Sequence, residues 1–318
     1  MSTNNTYATT LLAATPYLTL IIDLITFVIG TTGSVCNLII FTAPRLRRNA
    51  CVFYLLCATV FQLITIIFIV PIRLASNNFG SNLDNQSIIY CKIRYYLAIT
   101  LPESATYYIL LSIMDRCLAT STNVGIRAWS NLKVAYRMSV GVLIFIFIAN
   151  IQLIVFFTIY NNSCQIKPDS FETFYGPSYI LILAMIIPYT LMLILSLKTY
   201  FQMKKIKQRI APVSNSSNHT QTSRFESQII MIILLQIIVT STLLLIRVVS
   251  YAYTIFTSDN FNKTLTERAI ENFIVQSSSS LYFFSFAISF YVSTLTSKYF
   301  RDIFKKRIGH LYRHCRKQ

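Results

Sequence analysis

The sequence predicts an all-α membrane protein, a seven-transmembrane helix bundle followed by a C-terminal amphipathic helix in the membrane interface, and three observations carry that prediction. Of 318 residues, 54 % are hydrophobic and 12 % charged. With a mean hydropathy of +0.55, the chain has too little polar surface to coat a soluble domain of this size. Seven apolar runs can be marked, and each is long enough, at about 1.5 Å per residue, to cross a hydrocarbon core of roughly 30 Å. Finally, the segments between the runs alternate in charge. Residues 44–49, 120–137, 198–225 and 298–318 hold twenty of the twenty-eight Lys and Arg residues.

The runs follow in order. Residues 1–16 are an expected outer N-terminus, and the first thirty residues contain no Lys or Arg. The basic flank of a cleavable signal peptide is therefore missing, and the first apolar helix is expected to act as the insertion signal. That helix, over 17–43, carries Asp23; the second, over 50–74, carries Gln62 and Arg73. In the third, over 89–119, the stretch from Cys91 to Arg116 covers roughly 37 Å as a helix. One helix thus carries a cysteine at one face of the membrane and an Asp-Arg pair at the other. The fourth spans 135–160, the fifth 177–203 with Pro188, and the sixth 227–256 with Arg247. The seventh, 270–296, contains Gln276 and the run Ser277 to Ser280, so it suits a bundle-facing position better than a lipid-facing one. Together 17–296 form the bundle, and 297–318 form a further helix and short tail. There Tyr299, Phe300, Ile303, Phe304, Ile308 and Leu311 oppose Arg301, Lys305, Lys306 and Arg307, the pattern of a helix lying in the interface plane. The longest connection, 204–226, reads as a polar Ser/Asn linker with a basic start.

Orientation follows from the charge asymmetry. The positive-inside rule puts the N-terminus outside and the C-terminus in the cytoplasm. The net charge of +17 then faces the inner leaflet, with anionic membrane lipid as its partner and no nucleic acid required. Glycosylation sequons agree, since Asn4, Asn85, Asn161 and Asn262 place one in each outer segment. Asn215 and Asn218 fall in an inner loop and are expected to stay bare.

The layout of Cys91 and Asp115-Arg116-Cys117 resembles the third helix of the rhodopsin-like (class A) G-protein-coupled receptors, which ends in Asp-Arg-Tyr. Gly33-Ser34-Val35-Cys36-Asn37 is similar to that family's Gly-X-X-X-Asn, and Pro188 occupies the place of its helix-five kink proline. The run Ser289 to Arg301 looks like the family's Asn-Pro-X-X-Tyr and the Phe-Arg that follows it. Arg127-Ala128-Trp129-Ser130 and Ser289-Phe290-Tyr291 are similar to features of lineage-expanded invertebrate receptor sets. The resemblance implies a Cys91–Cys164 disulfide, an Asn37 that ties helices one, two and seven, and a coupling site for a heterotrimeric G protein at Asp115, Arg116 and Cys117. Departures accompany it. Gln62 stands where the family has a sodium-binding Asp, Ser289, Phe290 and Ser293 replace Asn, Pro and Tyr, and helices four and six lack their Trp.

Plainer readings stand beside these. Asp115-Arg116 at a membrane border serves equally as an interfacial salt bridge, and Cys91 and Cys164 as free thiols, although facing cysteines in an oxidising compartment are more often bridged. Lys204, Lys205, Lys207 and Arg209 suffice to enforce topology, and Cys315 is a lone tail cysteine open to palmitoylation. Motifs for an enzyme, a metal or a cofactor are missing. The rival class is a transporter or channel, because Asp23, Arg73, Glu103 and Arg247 put ionisable groups in or near the membrane. Glu103 sits roughly 18 Å down helix three and Arg247 roughly 14 Å down helix six. They are expected to pair with each other or to contact a polar ligand, with Arg73, Arg94 and Tyr107 completing the pocket. An extracellular ligand is expected, a peptide first and a small chemosensory molecule second.

Overall fold

The computed structural model describes residues 2–44, 46–47, 49–80, 83–166, 171–210, 217–257, 263–296 and 298–315, with 206–210 and 217–233 among those given by backbone alone. Helices dominate. They are α1 (Ser2–Phe41), α2 (Ala50–Asn78), α3 (Ile88–Ala119), α4 (Leu132–Phe156), α5 (Phe174–Lys205, its helix continuing to Ile210), α6 (Ser217–Phe256), α7 (Leu265–Ala287), α8 (Ser289–Thr296) and α9 (Lys298–Cys315). Among the described residues six helices are long and apolar enough to cross a membrane, or seven if α7 and α8, which meet at 49°, are one span. This is the architecture of a multi-pass helical membrane protein.

Polar side chains fix where the helices begin. Asn49 accepts from the backbone N–H of Cys51 at 3.0 Å and Asn131 from that of Val134 at 3.0 Å, which starts α2 and α4. Thr264 and Glu267 close a reciprocal capping box on α7. Each supplies an acceptor to N–H groups that have no partner within the helix. Along the apolar stretches Thr and Ser hydroxyls turn back on the carbonyl four residues earlier, as Thr26 does on Ile22 and Ser104 on Thr100. That keeps them satisfied where water is excluded.

Two helices change pitch just before a proline. In α2 a π segment, Thr65–Ile69, precedes Pro71, and in α5 another, Ile180–Ile186, precedes Pro188. Proline has no N–H to give and its ring presses on the carbonyl four residues back. Those carbonyls belong to Ile67 and Ala184, inside the π segments, where the wider turn relieves the clash.

The third helix is the axis of the bundle. In its most apolar stretch 72 % is buried, against 22 % in α1 and in α4, and it touches α2, α4 and α5. On the other side α1 lies along α7, and the approach is close because Gly30 and Gly33 face it. A Cβ on Gly30 would come within 2.7 Å of Ile66 Cδ1 and 3.0 Å of Ala287 Cβ; one on Gly33 would meet Tyr291 at 3.1 Å. Small residues at such a seam let backbones approach where no hydrophobic drive exists between helices.

Four boundaries differ from expectation. The first helix starts at Ser2, not 17, so the expected outer N-terminus is largely helical and Asn4 lies within α1. The fourth ends at Phe156, and Phe157–Tyr160 instead pairs antiparallel with Ser163–Ile166. Asn161 and Asn162 turn this hairpin at φ 50° and 56°, the left-handed pair that a two-residue turn requires and Asn tolerates. The expected 204–226 linker is helical to Ile210 and again from Ser217, because extending a nucleated helix costs little even in polar sequence. The expected seventh helix breaks at Ile288, without a proline; Ser285 bonds back to Tyr282 at 2.6 Å beside the break, where the Ile288 to Phe284 backbone bond lengthens to 3.3 Å. Asn215 and Asn262 lie outside the described residues, as do the side chains of Asn4, Asn218 and Cys315.

Candidate functional site: a cavity and a closed polar cluster on one helix

At the start of α3, Cys91 is bonded to Cys164 with a Cα–Cα distance of 5.8 Å, so the hairpin is tethered across that end of the bundle. Asn85 accepts from the Cys164 N–H at 2.9 Å, and Tyr95 stacks on Phe157 with ring centroids 4.1 Å apart. Next to this hairpin lies a cavity of about 240 Å³, walled by residues of α2, α3, α5, α6 and α7.

Three of the five expected ligand residues, Arg73, Arg94 and Arg247, line it. Arg73 faces Asp23 of α1 at 3.6 Å and donates to Ser279 and Ser280 of α7. Asp23 is fully buried. Arg94 pairs with Asp84 and reaches Ser76 at 3.3 Å. Arg247 donates to the Val275 carbonyl at 3.1 Å and lies 5.0 Å from the centre of the Tyr251 ring.

Glu103 and Tyr107 do not line the cavity, and the Glu103–Arg247 pair is not formed. Pro102 is on the wall, and each further residue of a helix turns about 100° around its axis. Glu103 therefore points at α4, where Asn150 Nδ2 donates to it at 2.6 Å. Tyr107, one turn along the same face, donates to the Leu183 carbonyl of α5 at 3.1 Å. Matched depth along two helices did not imply matched direction.

At the other end of α3 the polar groups are enclosed. Asp115 and Arg116 are 4 % and 5 % exposed and lie 3.3 Å apart. Ser130 donates to Asp115 Oδ1 at 2.7 Å, and Arg116 donates to the side-chain oxygen of Asn49, the residue that caps α2. Thr120 donates to Gln202 Oε1 of α5 at 2.9 Å, with Cys117 Sγ 4.0 Å from the same oxygen. Sequence reading missed Asn49, Ser130 and Gln202; the cap preference of Asn49 was the one available signal.

The resemblance implies a tie through Asn37. Asn37 is buried, yet its Oδ1 accepts no hydrogen bond from the described residues. Ser289 of α8 accepts from Gln236 of α6 at 3.0 Å. Gln62 is buried on α2, and Pro188 follows the π segment. Of the sequons expected outside, Asn161 is exposed at the hairpin tip and Asn85 partly so. No family model matches the chain, and no curated protein matches it.

Proposed function

We propose that the chain is a plasma-membrane receptor of the rhodopsin-like G-protein-coupled kind, seven helices with the N-terminus outside, which binds an extracellular ligand and activates a cytoplasmic heterotrimeric G protein. One observation carries this reading. A single buried helix, α3, borders the cavity at its disulfide end and holds the Asp115-Arg116 pair at the other, so a ligand at one end has a rigid element through which to bias the other. The excess of Lys and Arg at the Asp115 end supports its being cytoplasmic. A ligand shifts such a bundle only by as much as it prefers one arrangement over the other. Arg116, tied to Asp115 and Asn49, represents the resting arrangement, and its release would expose a cation to the G protein. The basic side chains Lys305 and Lys306 of α9, whose Phe300 packs on Phe41 with centroids 5.7 Å apart, would then lie against anionic lipid. A peptide is the favoured ligand and a small chemosensory molecule the second.

The test is nucleotide exchange on a G protein in cells expressing the chain. Asp115→Asn should raise basal exchange and Arg116→Ala should abolish it per molecule delivered to the surface; wild-type exchange from both variants removes the coupling role. Orientation is tested apart from coupling, since glycans should map to Asn161 or Asn85 and never to Asn218. The buried Asp23–Arg73 pair favours a second reading, a transporter or channel. Solute flux through proteoliposomes that is lost in Asp23→Asn, with no exchange in cells, would establish it.

A further inference from the structure

We propose that the cavity beside the hairpin takes a ligand bearing one carboxylate on a compact aromatic or apolar body, and that Arg247 seats the carboxylate. The proposal deepens the receptor reading and rests on it only in treating this cavity as the ligand site.

The charges on the wall are unequally matched. Arg73 has Asp23 and Arg94 has Asp84, so each guanidinium already faces a carboxylate. Arg247 has none within ion-pair distance among the described residues. Of its five N–H donors, the Val275 carbonyl takes one, and the Tyr251 ring meets the guanidinium through its cation-attracting face. Both contacts orient the group and neither neutralises it. A lone cation in a cavity within the bundle is strongly disfavoured, and such residues mark ligand or ion paths. A planar guanidinium with free donors matches a carboxylate in two parallel hydrogen bonds.

One unmatched positive charge calls for one negative charge. A phosphate monoester, carrying about −1.5 to −2 at neutral pH, would bring excess charge into the site. The rest of the wall tells of the body. Tyr95, stacked against Phe157, stands with Tyr282, Phe283 and Met185 around the space, a wall that suits a compact aromatic or apolar body. Small acids and the C-terminal residue of a peptide both present this chemistry.

Binding is measured directly, by thermal-shift titration of the full chain in lipid nanodiscs. The probes are 3-phenylpropionate against 3-phenylpropionamide, and N-acetyl-glycyl-phenylalanine as free acid against its amide. In at least one pair the acid should bind about tenfold or more tighter than the amide. The pair that shows it separates a small acid from a peptide terminus. Arg247→Gln should reduce the acid to the affinity of the amide, and Arg247→Lys should retain part of the preference. Equal binding within both pairs, no binding by any probe, or an acid preference that survives Arg247→Gln overturns the proposal; so does tighter binding of phenyl phosphate. If Arg247→Gln does not fold, the acid–amide comparison on the unaltered chain still decides. Acid binding without nucleotide exchange supports the carboxylate site while removing the receptor reading.

Discussion

The two ends of α3 handle buried charge in opposite ways. Around Arg116 the described contacts close on Asp115 and Asn49, with Ser130 donating to Asp115, and the two charged side chains are almost wholly shielded. Around Arg247 the contacts are a carbonyl and an aromatic face beside open space. The difference teaches where to look for a guest. A cluster whose charges are paired within it stabilises one arrangement, whereas a cation that is oriented but not neutralised holds a place for an outside partner.

Substitutions break or sharpen that contrast. The largest loss is expected from Arg116→Ala, which strands Asp115 in the interior and should cost about 3–5 kcal/mol in reversible unfolding in bicelles. A loss no larger than that of Arg247→Gln would erase the distinction between the ends. Next comes the tether. Cys91→Ser, Cys164→Ser and the double change should each lower stability by about 2–4 kcal/mol, and to the same extent, since one bond is removed in all three. The tether spans 73 residues of sequence, so the effect should persist at high salt, and additive single losses would contradict a shared bond. Gly30→Val, which presses on Ile66 and Ala287, should cost about 1–3 kcal/mol by overpacking. Gly141→Ala, which meets nothing within 4 Å, is its control and should change stability by less than about 1 kcal/mol. The smallest effect is expected from Arg247→Gln in the absence of ligand, about 1 kcal/mol or less, because only one neutral contact and a ring are lost.

Sequence carried the spans well because membrane crossing needs only length and apolarity, and a run such as 50–74 shows both. The Cys91–Cys164 bond was reached through the family resemblance, since Cys164 lies in the hairpin and nothing within α3 names it as the partner. Direction around a helix was harder to read. Depth placed Glu103 level with Arg247, but the rotation from Pro102 to Glu103 turned it toward Asn150, and no local pattern in α3 reports which neighbour lies on which side. Asp23 was marked in the sequence and Asp84 was not, and the partners of both come from other elements, so their pairing waits on tertiary packing. The hairpin escaped notice because Phe157 to Tyr160 continues an apolar run that suits a helix or a strand alike.

The two π segments have a further consequence for how this chain tolerates change in length. Each wide turn amounts to one residue more than an α-helix needs over the same rise. Removing one residue from Thr65–Ile69 should therefore be accommodated by a return to regular pitch, where the same deletion elsewhere in α2 would misalign the helix. Arg73, beyond the segment, would then keep its facing toward Asp23 and Ser279. The same deletion in the regular turns of α2 before it would swing Arg73 by about 100° and leave a second arginine of the cavity without its carboxylate.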